Sequence, residues 1–264
     1  MAIFFCSLAS GSSGNCHLIN DGESSILIDV GLSGIRIENK LKKIDIDPRS
    51  LTAILVSHEH NDHICGVGVL SRRYNIPVYA NKGTWEGMDT KIGEIRENNI
   101  RCFNSEEDFN IRDFNISSYD ISHDANEPVG FSIKKDNVKI SIVTDLGYID
   151  ESIIRQVGDS DLVVLESNHD EEMLKVGRYP YYLKRRILSD VGHLSNEAAG
   201  DAIIDLVNKN VRSILLAHLS KENNFPELAV ATIKNILDDE KIIIGEDIGL
   251  DLAHRDRVSN IYRF

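Results

Sequence analysis

Apolar residues in this chain come in short runs separated by Gly, Asn, Asp and Pro, a rhythm that predicts many strands and fewer helices. Ala2–Leu8, His17–Asn20, Ser25–Val30 and Thr52–Val56 read as strands, with a helix over Ile35–Lys43 between the last two. The spacing Ile64, Val67, Leu70, Tyr74 then fits a helix that puts Asp62 and His63 at its N-terminus, and Pro77 introduces a strand over Val78–Ala80. Phe114–Ile121, Val129–Lys134 and Val138–Val143 read as antiparallel strands, the last two joined by a tight turn at Asp136-Asn137. Leu162–Leu165 and Ile214–Ala217 look like buried strands on either side of a helix over Ser195–Val207, with Ser195 as its N-cap. Pro226 opens a last helix to about Leu237. Ile242–Ile244 and Leu250–Ala253 leave two readings, closing a sheet or serving an interface. Gly11-Ser12-Ser13-Gly14-Asn15 is only long enough for a turn, so no linker divides the chain and one domain over 1–264 is expected.

Composition narrows the class. A chain of 264 residues can bury a large core. No stretch approaches the ~18 apolar residues of a membrane span, so a cytoplasmic location and no membrane partner are expected. Cys6, Cys16, Cys65 and Cys102 are scattered without C-x-x-C, which argues against a zinc ribbon or a disulfide framework. Cys65 lies near His63, but a free cysteine is usually a small buried hydrophobe, and packing is the preferred reading. The net charge of −13 argues against non-specific coating of nucleic acid. One local exception is Lys184-Arg185-Arg186, with Arg178, Tyr179, Tyr181 and Tyr182 nearby. It is either a docking point for a phosphate-bearing substrate or a solvated turn whose tyrosines cover a core edge.

The chemistry begins directly after the apolar run ending at Val56, where His58-Glu59-His60-Asn61-Asp62-His63 crowds three imidazoles and a carboxylate into six residues. Such crowding is costly without a cation, and mixed nitrogen and oxygen donors suit zinc, manganese or iron(II). Three further strand ends carry donors: His123 after Ile121, Asp145 after Val143, and His218 after Ala217. Each alone is an ordinary residue; together with the loop they supply five histidines and two aspartates, enough for two metal cages.

In this order Asp29, the H-x-H-x-D-H loop, His123, Asp145 and His218 resemble the five motifs of the metallo-β-lactamase superfamily. That resemblance implies an α+β fold, the αββα four-layer sandwich with two mixed β-sheets face to face and helices outside. It also implies that His58, His60 and His123 hold one divalent metal, that Asp62, His63 and His218 hold a second, and that Asp145 bridges them. Asp29 would orient the loop through hydrogen bonds. Aspartate at 145, in place of cysteine, is similar to the two-metal hydrolases. Within them Glu166 and His193 resemble the paired residues of the phosphodiesterase branch, and Ala217-His218-Leu219-Ser220 is close to the corresponding ribonuclease Z motif.

A closer resemblance runs through Ser7–Asn15, Ser57–His63, Glu166–Asp170 and Val191–Asn196, which look like the YycJ (WalJ) group of bacterial metallo-hydrolases. It implies a 5′ to 3′ exonuclease acting on double-stranded DNA. Two divalent ions, with Zn expected as bound and Mn or Fe as substitutes, would share a hydroxide that attacks phosphorus. Asp62, Asp145, His193 and Glu166 would be catalytic, His193 protonating the leaving oxygen in an imidazolium form favoured by Glu166. His169, Lys184, Arg185 and Arg186 are candidate substrate contacts. No organic cofactor is implied. The alternatives are a small-molecule hydrolase of a cyclic phosphodiester, thioester or lactone, and a non-catalytic metal-stabilised binding protein.

Overall fold

A computed structural model describes residues 3–105 and 107–264, so Ala2 of the first predicted strand lies outside the described residues. Spatial neighbours divide the chain into two compact units. One takes the chain up to Asn115 with Ala125–Val129 and Ala253–Phe264; the other takes Ile116–Asp124 and Gly130–Leu252.

The first unit is built on a seven-stranded sheet. Its strands are β1 (Phe4–Ala9), β2 (Cys16–Asn20), β3 (Ser25–Ile28), β4 (Leu51–Leu55), β5 (Val78–Ala80), β6 (Ile100–Cys102) and the late β14 (Tyr262–Arg263), in the order β14-β1-β2-β3-β4-β5-β6. β1 to β3 form an antiparallel meander, and β3 to β6 run parallel. Helices α1 (Gly34–Lys42), α2 (Asn61–Ile64), α3 (Val67–Tyr74) and α4 (Lys82–Ile92) complete the unit. Leu18, Leu27, Ile54, Ile37, Leu41, Val67 and Leu70 share its core, so α1 and α3 bury their apolar stripes against the sheet residues.

The second sheet has the order β13-β12-β11-β10-β9-β8-β7, from β7 (Phe109–Ile111), β8 (Phe114–Asp120), β9 (Val129–Lys135), β10 (Val138–Val143), β11 (Leu162–Glu166), β12 (Ser213–Ala217) and β13 (Gly249–Leu252). Its helices are α5 (Glu151–Val157), α6 (Glu171–Val176), α7 (Tyr181–Ile187), α8 (Asn196–Val207) and α9 (Pro226–Asp239). β10, β11 and β12 are parallel, with Val143 opposite Leu165, Leu165 opposite Leu216 and Glu166 opposite Ala217. Parallel register therefore delivers Asp145, Glu166 and His218 to one sheet edge, at the carboxyl ends where open α/β sheets place their ligands. Two mixed sheets of seven strands with helices around them match the expected fold class.

The predicted strands and helices are present, and Ser195 caps α8 by accepting from the Ala198 N–H at 3.1 Å. Several details differ. The helix after His63 is broken into α2 and α3 because the Gly66 N–H is taken by the Val30 carbonyl at 2.8 Å, outside the i to i−4 ladder. Leu250–Leu252 lies in β13, parallel to β12 at the sheet edge, while Ile242 and Ile244 pack against the core of the second unit, which settles both segments as part of the fold. Cys65 is exposed and not packed. The Arg178–Arg186 stretch is a bend at Arg178 and Tyr179 followed by helix α7, which Tyr181 opens; Tyr181 and Tyr182 are 75% and 73% exposed and cover no core edge.

Candidate metal centre

In the first unit the donors are assembled on the ends of β3 and β4. Asp29 follows β3 in the left-handed region (φ 58°), a conformation costly for a residue with a Cβ and retained here where it aims a carboxylate. Its Oδ1 accepts from the Ser57 N–H at 2.9 Å, and its Oδ2 accepts from Ser57 Oγ at 2.9 Å and from His63 Nδ1 at 2.7 Å. A carboxylate only accepts, so His63 carries its proton on Nδ1 and its lone pair on Nε2. Having donated to Asp29, Ser57 Oγ accepts from His58 Nδ1 at 3.0 Å, which leaves the His58 lone pair on Nε2 as well. One carboxylate thus sets the tautomers of two imidazoles.

His58 Nε2 and His60 Nδ1 lie 3.2 Å apart, the His58 and His63 ring centroids 4.1 Å apart, and Asp62 Oδ2 is 3.7 Å from His63 Nε2. His58 and His63 are fully buried. Buried imidazoles and a carboxylate this close, with Nε2 of His58 and of His63 turned away from Ser57 and Asp29, are donor chemistry that suits a divalent cation. Gly31 permits the loop to approach: a Cβ there would fall 1.5 Å from the Asp62 carbonyl oxygen. Glu59, the remaining acid of the loop, accepts from the Asn126 N–H at 2.9 Å and so serves as an anchor.

In the second unit Asp145, Glu166, His193 and His218 bring one ligand atom each to within 4.8 Å of one another. Asp145 (φ 62°) and His218 (φ 56°), like Asp29, are in the left-handed region. Glu166 is fully buried and accepts four hydrogen bonds: His193 Nδ1 at 2.9 Å and His218 Nδ1 at 2.7 Å on Oε1, and the N–H groups of Leu146 at 3.0 Å and Leu194 at 3.2 Å on Oε2. Burial pushes its pKa up, but the charge and hydrogen bond of His193 and those of His218 outweigh it and hold the carboxyl at about 2. Glu166 is therefore ionised and fixes the protons of both imidazoles on Nδ1, which turns Nε2 of each away from the carboxylate. His123 Nδ1 faces the Gly192 carbonyl at 3.2 Å.

His169 is buried, and neither ring nitrogen has a hydrogen-bond partner; burial lowers its pKa to about 4, so it is neutral and internal and presents no surface contact. Lys184, Arg185 and Arg186 form the last turn of α7. Arg186 pairs with Asp124, the residue after His123, and Lys184 Nζ donates to the Lys175 carbonyl at 2.7 Å. Three contributors escaped the sequence reading. Ser57 links Asp29 to His58, Asn15 Nδ2 lies 3.1 Å from His63 Nε2, and Asn168 Nδ2 donates to the His218 carbonyl at 2.9 Å. All three lie inside segments that carried the family resemblance, and that was the signal available for them.

Comparison with known proteins agrees with this chemistry. Residues 24–219 match the family model described as a beta-lactamase superfamily domain, and the chain belongs to that superfamily. Its backbone is similar to the metallo-β-lactamase fold protein YhfI from Bacillus subtilis, with a TM-score of 0.75 at 16% identity over 100% of both chains. More particularly, the chain is 41% identical over 246 residues to exodeoxyribonuclease YycJ of Bacillus anthracis, covering 93% of each. It is also 41% identical over 242 residues to exodeoxyribonuclease WalJ of Streptococcus pneumoniae, covering 91% of this chain and 90% of that protein. The chain is an enzyme of this metallo-hydrolase family, with a His/Asp cluster that fits divalent-metal binding. No helix among the described residues is long and apolar enough to cross a membrane.

Proposed function

We propose that this chain is a two-metal phosphodiesterase that digests double-stranded DNA as a 5′ to 3′ exonuclease. By position in the family motifs, His58, His60 and His123 hold one divalent cation, Asp62, His63 and His218 the other, and Asp145 serves both. The two compact units are halves of one hydrolase domain over 1–264, a reading supported by a family match that runs through both. The single observation that carries the phosphodiesterase reading is the Glu166 carboxylate clamped on His193 and His218. Bound divalent cations supply Lewis acidity and an ionised water at neutral pH.

The chain's own residues do the rest. Glu166 holds the Nδ1 proton of His193 and so orients its Nε2 as the proton donor to the leaving 3′ oxygen. Glu166 also orients His218, and Asp29 orients His63 and, through Ser57, His58. Arg186, paired with Asp124 beside His123, and the neighbouring Lys184 and Arg185 offset phosphate charge. A DNA substrate supports a cytoplasmic site of action. The exonucleases YycJ and WalJ, at 41% identity, support the choice of substrate.

The test is incubation of metal-reconstituted protein with 5′-labelled linear duplex DNA in Mn(II), with Asp145→Ala as control. Progressive release of label by wild type, abolished by EDTA and absent in the variant, is the expected result. Intact DNA with wild-type protein that carries its metals would overturn the nuclease reading and favour a small phosphodiester or ester substrate.

A further inference from the structure

The segment between Glu166 and His193 holds the three most exposed large apolar side chains among the described residues. Val176 is 83% exposed, Tyr181 75%, Tyr182 73%, Leu188 46% and Val191 41%. The same segment inverts the charge of its surroundings. From Met173 to Ser189 the sequence has five Lys or Arg (175, 178, 184, 185, 186) and no Asp or Glu, within a chain of net charge −13. Two large aromatic side chains held in water on a folded helix lose apolar burial, on an acidic protein, at a local excess of cations.

This helix is fastened to the site. The His193 N–H donates to the Ile187 carbonyl at 3.0 Å, and Ser122 Oγ donates to the Asp190 carbonyl at 2.6 Å, one residue before His123. Gly192 admits the C-terminal turn of α7: a Cβ there would fall 2.1 Å from the Ile187 carbonyl oxygen and 2.4 Å from that of Arg186. At ~1.5 Å per residue the seven residues of α7 span about 10 Å, so its tyrosine end stands a few nucleotides' length from its anchored end beside His193.

We propose that Tyr181 and Tyr182 are a stacking platform for unpaired bases of the strand being digested, with Arg178, Lys184 and Arg185 following its phosphates. The occupant is a short single-stranded stretch at a frayed or overhanging end. Stacked pairs inside a duplex do not expose their faces to a tyrosine, whereas every unpaired base has a free π-face. The cations give affinity without sequence preference, and the tyrosines give preference for bases over bare backbone. This inference rests on the nuclease reading and assigns that reading its substrate-gripping element.

The experiment measures fluorescence anisotropy of nuclease-resistant phosphorothioate single strands, one of thymidines and one of equal length with abasic sites, bound to metal-loaded wild type, Y181A/Y182A and K184A/R185A. Wild type is expected to prefer the base-bearing strand by about tenfold or more, the scale of one stacked base. Y181A/Y182A is expected to lose that preference with its metal content, melting temperature and salt dependence unchanged. K184A/R185A is expected to keep the preference and to lower the salt slope by about 1.4, two phosphates' worth for a single strand. Equal binding of both strands by wild type, or an unaltered preference in Y181A/Y182A, overturns the platform. If wild type still digests duplex DNA in either case, the platform alone falls; if it neither binds nor digests DNA, the nuclease reading falls with it. Sedimentation velocity covers the remaining occupant: a wild-type oligomer dissolved by Y181A/Y182A would reassign the patch to contact between copies of this chain.

Discussion

Replacing Glu166 by glutamine removes one charge and turns one of two acceptor oxygens into a donor. In the wild type Oε1 accepts from the Nδ1 atoms of His193 and His218, and Oε2 from the backbone N–H groups of Leu146 and Leu194. Glutamine can satisfy only one of these pairs. If its NH2 faces Leu146 and Leu194, two backbone donors lose their acceptor at a fully buried position, at about 1–3 kcal/mol each. If its NH2 faces the imidazoles, a ring must move its proton from Nδ1 to Nε2, which removes the lone pair needed at the metal. Either orientation costs on the order of 2–6 kcal/mol, or exchanges part of that cost for lost metal affinity. For a chain of this size about 2–4 °C of Tm follows each kcal/mol, so Glu166→Gln is expected to melt roughly 4–24 °C below wild type. Differential scanning fluorimetry on metal-free and reloaded protein, with metal content by mass spectrometry, reads both consequences. A variant melting within about 2 °C of wild type and retaining its full metal content would refute the reasoning, since four buried acceptor contacts would then count for nothing.

Two further outcomes follow from buried groups. Burial holds His169 at about 4 against an ordinary 6.5, so the folded protein favours the neutral ring; the resulting stability is complete above pH 6.5 and is lost as pH falls towards 4. The difference corresponds to about 3 kcal/mol. In EDTA, urea midpoints from pH 7.5 to 4.5 should fall more steeply for wild type than for His169→Gln, and parallel curves would count against a buried neutral ring. Gly31→Ala places a Cβ 1.5 Å from the Asp62 carbonyl oxygen, so the loop carrying Asp62 and His63 must shift. Calorimetric metal titration should show weaker binding together with a lower Tm, and unchanged affinity would contradict the close approach.

Much of the donor set was legible because its spacing is local. Three histidines and an aspartate within six residues after an apolar strand, and single donors closing three more strands, are read from the order of residues alone. The period-2 and period-3.6 patterns likewise placed β4, β10, β11, β12 and α8, since each depends on which face of one element is apolar. α5 was missed although Asp150 caps it by accepting from the Ile153 N–H at 2.9 Å, because seven residues carry too little periodicity to separate a short helix from a loop. The break after α2 was also missed, because it depends on a carbonyl from residue 30 that no local window contains.

The sequence by itself determined the family, the candidate donors and the acid paired with His193, since these are identities and spacings along one dimension. Only the tertiary structure decided that Glu166 grips two imidazoles at once, that Asp29 reaches His58 through Ser57, that His169 is sealed inside, and that Tyr181 and Tyr182 stand in water. Proton positions and burial are properties of neighbours in space. A hydrogen bond between residues 52 apart, such as that between His218 and Glu166, exists only once parallel register has brought β11 beside β12.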